Sequence, residues 1–208
     1  IIAKKYIIKD KATTHIDDKV KIGENVIIYE NTRIEGCTRI DDNVTIYPNS
    51  YISNSIIGKG TKIYSSFIEK STIGSCCLIG PFAHLRAGTK LADAVKVGNF
   101  CETKNAQIGS HTKLAHLAYV GDAVIGEKCN IGCGAIFVNY NGKSKQMSYV
   151  GDGSFVGSNV NVIAPVKIGN GAYICAGTTV DRDVADNEFV IGRVRQEGKE
   201  GRAKKYLN

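Results

Sequence analysis

With 208 residues, 43% of them hydrophobic and 23% charged, the chain is long enough to bury one core and too apolar for disorder. A net charge of +7 favours an anionic partner, whether a nucleic acid, a phosphorylated metabolite or a nucleotide, while the lack of Trp and of interleaved basic and aromatic runs argues against a stacking surface for nucleic acid. No apolar run reaches the length of a membrane span and no secretory signal pattern opens the chain, so a cytoplasmic protein that binds neither membrane nor nucleic acid is expected.

Residues 1–19 read as a lead-in segment without a clear period. From Ile22 an aliphatic residue recurs every six positions, at Ile28, Ile34, Ile40, Ile46 and Ile52, and after a five-residue step at Ile57 and Ile63. The series continues through Ile79, Leu85, Leu91 and Val97, passes Thr103, and resumes from Ile108 to Ile131. A second run holds the same spacing from Val150 to Val180. This period fits neither an amphipathic helix nor a long alternating strand; it suits short strands joined by tight turns, with Gly, Asn or Asp supplying the backbone freedom at the turns. Three hexads close one triangular coil of about 18 residues, and stacked coils form a left-handed parallel β-helix. The expected fold class is therefore all-β, a single domain with the β-helix over 20–184.

Between the two runs, residues 137–149 (FVNYNGKSKQMSY) carry Asn, Gly and Lys in place of the repeat and are expected to leave the coil as a loop. Residues 185–208 form a basic C-terminal tail. The seven cysteines, at 37, 76, 77, 101, 129, 133 and 175, are odd in number and lack paired CxxC spacing. Free thiols, mostly in the core, are expected rather than disulfides or a zinc ribbon, and no metal site is read from the four histidines.

Residues one coil apart share an edge of the prism. Arg86 and Lys104, eighteen apart, therefore stack, and two stacked cations favour a phosphate between them; two solvated surface charges are the competing reading. His116, Cys133, Ser158 and Ala176 fall in the slot two residues after the inward aliphatic, and one more coil leads to Arg193 and Val194. That column describes a groove of small residues with a cation at one end, suited to a long thin ligand carrying phosphates. His116 is bulky for its corner and has Tyr119 close behind it.

With those residues assembled, the chain closely resembles the C-terminal acetyltransferase domain of the bacterial bifunctional N-acetylglucosamine-1-phosphate uridyltransferase and glucosamine-1-phosphate acetyltransferase. The motifs that carry the resemblance are IGPFAHLRAGT, VGNFCETKNAQIG, HLAYVGDAVIGEKCNIGCGAI, NYNGKSK, VGSNV, AGTTVDRDV and RVRQEGKEG, all between Ile79 and Gly201. The resemblance implies transfer of acetyl from acetyl-CoA to the amine of glucosamine 1-phosphate, in the supply of UDP-N-acetylglucosamine for the cell wall. It implies His116 as general base, supported by Glu102. Arg86, Lys104, Tyr119, Asn130 and Lys145 would hold the sugar phosphate. Cys133, Asn139, Tyr140, Ser158, Ala176 and Arg193 would hold acetyl-CoA, in a homotrimer with sites between subunits.

Two positions depart from the pattern: Cys133 stands where the family commonly has Ala, and Arg202 where its tail often has Trp. No Gly-rich nucleotide loop precedes Ile22, so the uridyltransferase domain is expected to be absent from this chain. Two alternatives stay open. One is a hexapeptide acyltransferase for another amino sugar; the other is a non-catalytic trimerisation β-helix attached to a sugar nucleotidyltransferase.

Overall fold

A computed structural model describes residues 6–207 and shows the parallel β-helix that the hexad period implies. One face is an eleven-stranded parallel sheet running from Tyr6–Ile8 at the bottom to Phe189–Val190 at the top. The second and third faces join into one seventeen-stranded sheet, because Glu102–Ile108 and Tyr119–Ile125 turn the corner between them without a break. Glu102 pairs with His84 on the second face, while Gln107 pairs with Lys90 on the third. At the bend Asn105 and Asp122 both take φ 46°, a left-handed conformation that Asn and Asp tolerate better than most residues.

Each strand points its aliphatic residue inward. On the second face the inward column runs Ile34, Ile52, Ile68, Leu85, Thr103, Val120, Phe137 and Val162, all fully buried. Thr103 is the polar member, and its hydroxyl is satisfied by Thr89 Oγ1 at 3.0 Å. Full burial of each Ile or Val contributes roughly 1.5–3 kcal/mol, which is how two- and three-residue strands hold together.

Three expected boundaries shift. Phe137 is 0% exposed, in the strand Ile136–Val138, and Ser148 is buried in the strand Ser148–Val150, so the excursion is 139–147 rather than 137–149. The coil needs an inward residue at that level, and Phe137, six after Ile131, fills it. Within the segment 1–19, Tyr6–Ile8 and His15–Ile16 already pair with the coil above, while residues 1–5 lie outside the described residues. At the other end Val184 bridges to Ile168 and Phe189–Val190 pairs with Tyr173–Ile174, so the β-helix extends to Val190 and the tail starts at Ile191.

All seven cysteines are free. Burial pushes the Cys77 thiol up to about 11 and raises those of Cys101 and Cys129, which makes them inert packing groups. Cys133 is half-buried. Among the described residues no helix is long and apolar enough to cross a membrane.

Candidate active site

The expected cation column is present. The register Leu85↔Thr103 sets Arg86 and Lys104 on adjacent coils of the second face, with the Arg86 N–H donating to Thr103 O at 2.8 Å. Arg86 Nη1 also donates to Glu102 Oε1 at 2.7 Å, which raises the guanidinium pKa further. Glu102 was expected to support His116; within the chain it is held by Arg86 instead. The register explains this, because Glu102 pairs with His84, two residues from Arg86, whereas His116 lies round the corner on the next coil.

The next position in the cation column is Gly121, paired with Lys104. A side chain there would collide with the Tyr119 phenol and with Asn139 Nδ2, so the space above Lys104 is filled by Tyr119. The loop then delivers a third cation. Tyr140 and Lys145 bridge antiparallel, Gln146 N donates to Asn139 O at 2.8 Å, and Asn141 Oδ1 accepts from the N–H groups of Lys143 and Ser144 at 2.9 Å each. The loop is rooted by a polar ladder at the bend: Asn105 Nδ2 donates to Asp122 Oδ1 at 2.6 Å, and Asn139 Nδ2 donates to Asp122 Oδ2. Asp122 is 7% exposed, and these two amides satisfy both oxygens. Sequence reading missed this ladder. Its signal is the recurrence of Asn or Asp every 17 residues at 105, 122 and 139.

Lys145 thereby comes against Lys104. The Lys104 ammonium is held below the usual lysine range, first by direct contact with Lys145 and its charge, then by burial and by Arg86, with Asp122 opposing weakly. Three cations thus converge on one corner, an arrangement that an anion would relieve.

His116 stands on a different edge. On the first face Asn99 pairs with His116, and the registers Leu114↔Ile131, Ile131↔Val156 and Val156↔Ile174 carry its column through Cys133, Ser158 and Ala176. The last step differs from expectation. Ile174 pairs with Val190 after sixteen residues, so Gly192 rather than Arg193 or Val194 completes the column. Arg193 nevertheless folds back, donating from Nη1 to Ala176 O at 2.9 Å.

Beside this column lies a floor of small residues, Gly98, Ala115, Gly132, Gly157 and Cys175, each directly after an inward aliphatic. Four coil steps of about 4.8 Å separate the levels of His116 and Gly192, about 19 Å in all. His116, Ser158, Ala176 and Arg193 are exposed, so the groove is open.

The expected residues are distributed over two faces of the chain. From His116 to Gly121, level with Lys104, the chain covers five residues round a corner, up to about 17 Å. Asn130 is on the first face, aligned with Lys113 and Phe155, away from Arg86 and Lys104 on the second. Tyr140 is exposed on the loop. The residues thus form two groups, a cationic corner on the second face and a histidine-headed groove on the first.

Residues 147–182 match the family described as bacterial transferase hexapeptide (six repeats). The chain is 52% identical over 192 residues to the "Bifunctional protein GlmU" of Caldicellulosiruptor saccharolyticus, covering 92% of this chain and 42% of that protein. It is 48% identical over 191 residues to the protein of the same name from a Geobacillus strain, with the same coverage. The chain thus spans about two fifths of the length of these relatives, and the sequence resemblance to the acetyltransferase domain of such a bifunctional protein is borne out. Among solved structures, an Arabidopsis UDP-N-acetylglucosamine acyltransferase is similar with a TM-score of 0.60 at 14% identity, over 88% of this chain and 70% of that one. The corresponding acyltransferase of Bacteroides fragilis gives 0.58 at 23%, over 84% and 68%. Likeness at these identities extends to the fold.

Proposed function

We propose that this hexapeptide β-helix, similar over nearly all its length to part of the GlmU proteins, is an N-acetyltransferase. It moves acetyl from acetyl-CoA to the amine of glucosamine 1-phosphate and yields N-acetylglucosamine 1-phosphate. The observation that carries the reading is the meeting of Arg86, Lys104 and Lys145 at one corner, where Lys104 is pushed below its ordinary pKa by its cationic neighbours. A sugar phosphate relieves that repulsion, and fixing the phosphate orients the amine at the far side of the ring.

The sugar ammonium has a pKa of about 8, like an α-amino group, so part of the sugar is free amine near neutral pH, having released one proton to water. The amine's lone pair attacks the thioester carbon as the His116 imidazole takes a proton from that nitrogen and passes it to the leaving sulfur. The nitrogen–carbon bond forms, the carbon–sulfur bond breaks, and CoA leaves as the thiol after protonation. No acyl-enzyme is required. Negative charge developing on the thioester oxygen calls for a donor. The N–H groups of Gly132 and Gly134 are engaged at 2.8 Å with Val156 O and Leu117 O, which leaves the Cys133 N–H between them for that role. The donor's long arm would lie along the small-residue floor past Ser158 and Ala176, with Arg193 on its phosphates and Asn139 and Tyr140 near its reactive end.

Phosphate and amine are one sugar ring apart, whereas the cationic corner lies on the second face of the chain and the His116 column on the first. A site completed between copies in a cyclic trimer would bring the two groups to one sugar. The test has two parts. Wild-type protein should form N-acetylglucosamine 1-phosphate, read by mass, and should prefer glucosamine 1-phosphate to glucosamine 6-phosphate; His116→Ala should lower kcat by roughly a hundredfold. His116→Ala and Lys145→Ala chains, unfolded together and refolded at equal ratio, should recover about a quarter of the sites if the two residues come from different copies. No acetylated product from wild type would end the reading, and no recovery would put both residues on one chain.

A further inference from the structure

Resting on the proposed acetyl-CoA reading, we propose that the open face of Phe189 is the platform for the donor's adenine ring, with Arg193 beside it on the phosphates. The outward column of the first face changes character along its length. Lys96 and Lys113 give way to Asn130 and then to three aromatic rings, Phe155, Tyr173 and Phe189. Phe155 and Tyr173 stack at 4.7 Å and 14°, Tyr173 and Phe189 at 5.4 Å and 10°. Parallel rings on successive coils turn their faces along the axis of the β-helix. Phe189 has Tyr173 below it and, among the described residues, no strand above it. It is 64% exposed, so the top of the ladder presents a solvent-facing π face.

That face stands where a ligand in the groove would arrive. In each strand the residue two beyond the ring lies on the groove floor: Gly157 beside Phe155, Cys175 beside Tyr173, and Ile191 beside Phe189. The floor is small until Ile191, which is large and exposed and ends the channel at the last coil. An occupant must leave the face there. Arg193 is fixed at the same level by its bond to Ala176 O.

The length agrees. From the thioester sulfur to the first phosphorus the donor has thirteen bonds, about 16 Å when extended like a polypeptide. The groove covers about 19 Å from the level of His116 to that of Gly192, with coils about 4.8 Å apart. A sulfur placed just above His116 therefore sets the pyrophosphate beside Arg193 and the adenosine at the open end, against Phe189. Stacking on an aromatic face suits a purine whatever its hydrogen-bonding edge meets.

The decisive measurement compares two donors, acetyl-CoA and S-acetylpantetheine, which lacks the nucleotide, with glucosamine 1-phosphate as acceptor. Phe189→Ala and Phe189→Leu should lower the ratio of the two kcat/KM values about fivefold or more, and Phe189→Trp should restore it. Leu keeps the apolar bulk without the π face, and loss of folded protein cancels in the ratio. Calorimetric titration should show CoA weakened by a similar factor in Phe189→Ala while pantetheine is weakened less than twofold. A ratio within twofold of wild type in both the Ala and Leu variants would overturn the platform. Wild type that binds CoA and acetylates nothing would instead overturn the proposed activity, leaving the binding result to judge the platform.

Discussion

Replacing Gly98 by Ala isolates how closely the coils fit beside His116. Gly98 has no positive φ, so the cost is one of space alone. A Cβ built there would lie 1.8 Å from Ala115 O and 2.7 Å from its carbonyl carbon. Both are backbone atoms, tied by the pairing of Lys96–Asn99 with Lys113–His116. Bringing that oxygen out to an ordinary 3.0 Å or more requires the coils to part by over an ångström, where neighbouring strands sit about 4.8 Å apart. Overpacking of this kind costs about 3 kcal/mol, at the upper end of the usual range because no flexible side chain can give way. For a domain of this size that lowers Tm by about 6–12 °C. Gly198→Ala is the control: nothing lies within 4 Å of its added Cβ, and its effect should stay within about 2 °C. Thermal unfolding followed by circular dichroism gives both values, and kcat should fall in Gly98→Ala because the Asn99–His116 rung moves with the strand. A Gly98→Ala protein that melts within 2 °C of wild type would refute the packing argument.

The cationic corner yields two further expectations. Because its neighbours depress the Lys104 pKa, the unfolded chain binds more protons between the folded value and the ordinary lysine value of about 10.4, so stability should rise with pH across that window and the penalty should be fully present below it. Lys145→Met removes the largest cause and should flatten the rise, measured as Tm against pH; an unchanged slope would mean the two ammonium groups do not meet in solution. Arg86→Ala and Lys104→Ala should raise KM for glucosamine 1-phosphate far more than KM for acetyl-CoA. The reverse ranking would mean that this corner holds the donor's phosphates.

Much of this was legible because the hexad period writes the interior directly. Ile34, Ile52 and Leu85 are buried where the spacing puts them, and the eighteen-residue step stacks Arg86 on Lys104. What escaped depends on steps that are not eighteen. The sixteen-residue step between Ile174 and Val190 displaces Arg193 from the His116 column, and the pairing of Tyr6–Ile8 precedes any repeat long enough to detect. Phe137 hid because an aromatic ring does the work that Ile does elsewhere in its column. Side-chain partnerships were less visible still. The resemblance pairs Glu102 with His116, and the alignment of Glu102 with His84, two residues from Arg86, is what the register alone supplies. The separation of the cationic corner from His116 is a matter of which face each column occupies, and periodicity alone carries no such coordinate.

The excursion of residues 139–147 lengthens one coil to twenty-five residues between Ile136 and Asn161, where the coil from Tyr119 to Ile136 takes seventeen. The pairing resumes above it in step, and Phe137 aligns with Val162 as though nothing intervened. Growth of the chain at this corner is therefore mechanically silent for the stack. On the proposed reading, lengthening, shortening or recharging the segment that carries Lys145 changes which acceptor is admitted, while every rung from His116 to Arg193 keeps its place. On that reading the scaffold and the acceptor-facing segment can vary independently, and grafting a different segment between Asn139 and Ser148, which keeps the bond from Asn139 to Asp122, is the natural route to new acceptors on an unaltered β-helix.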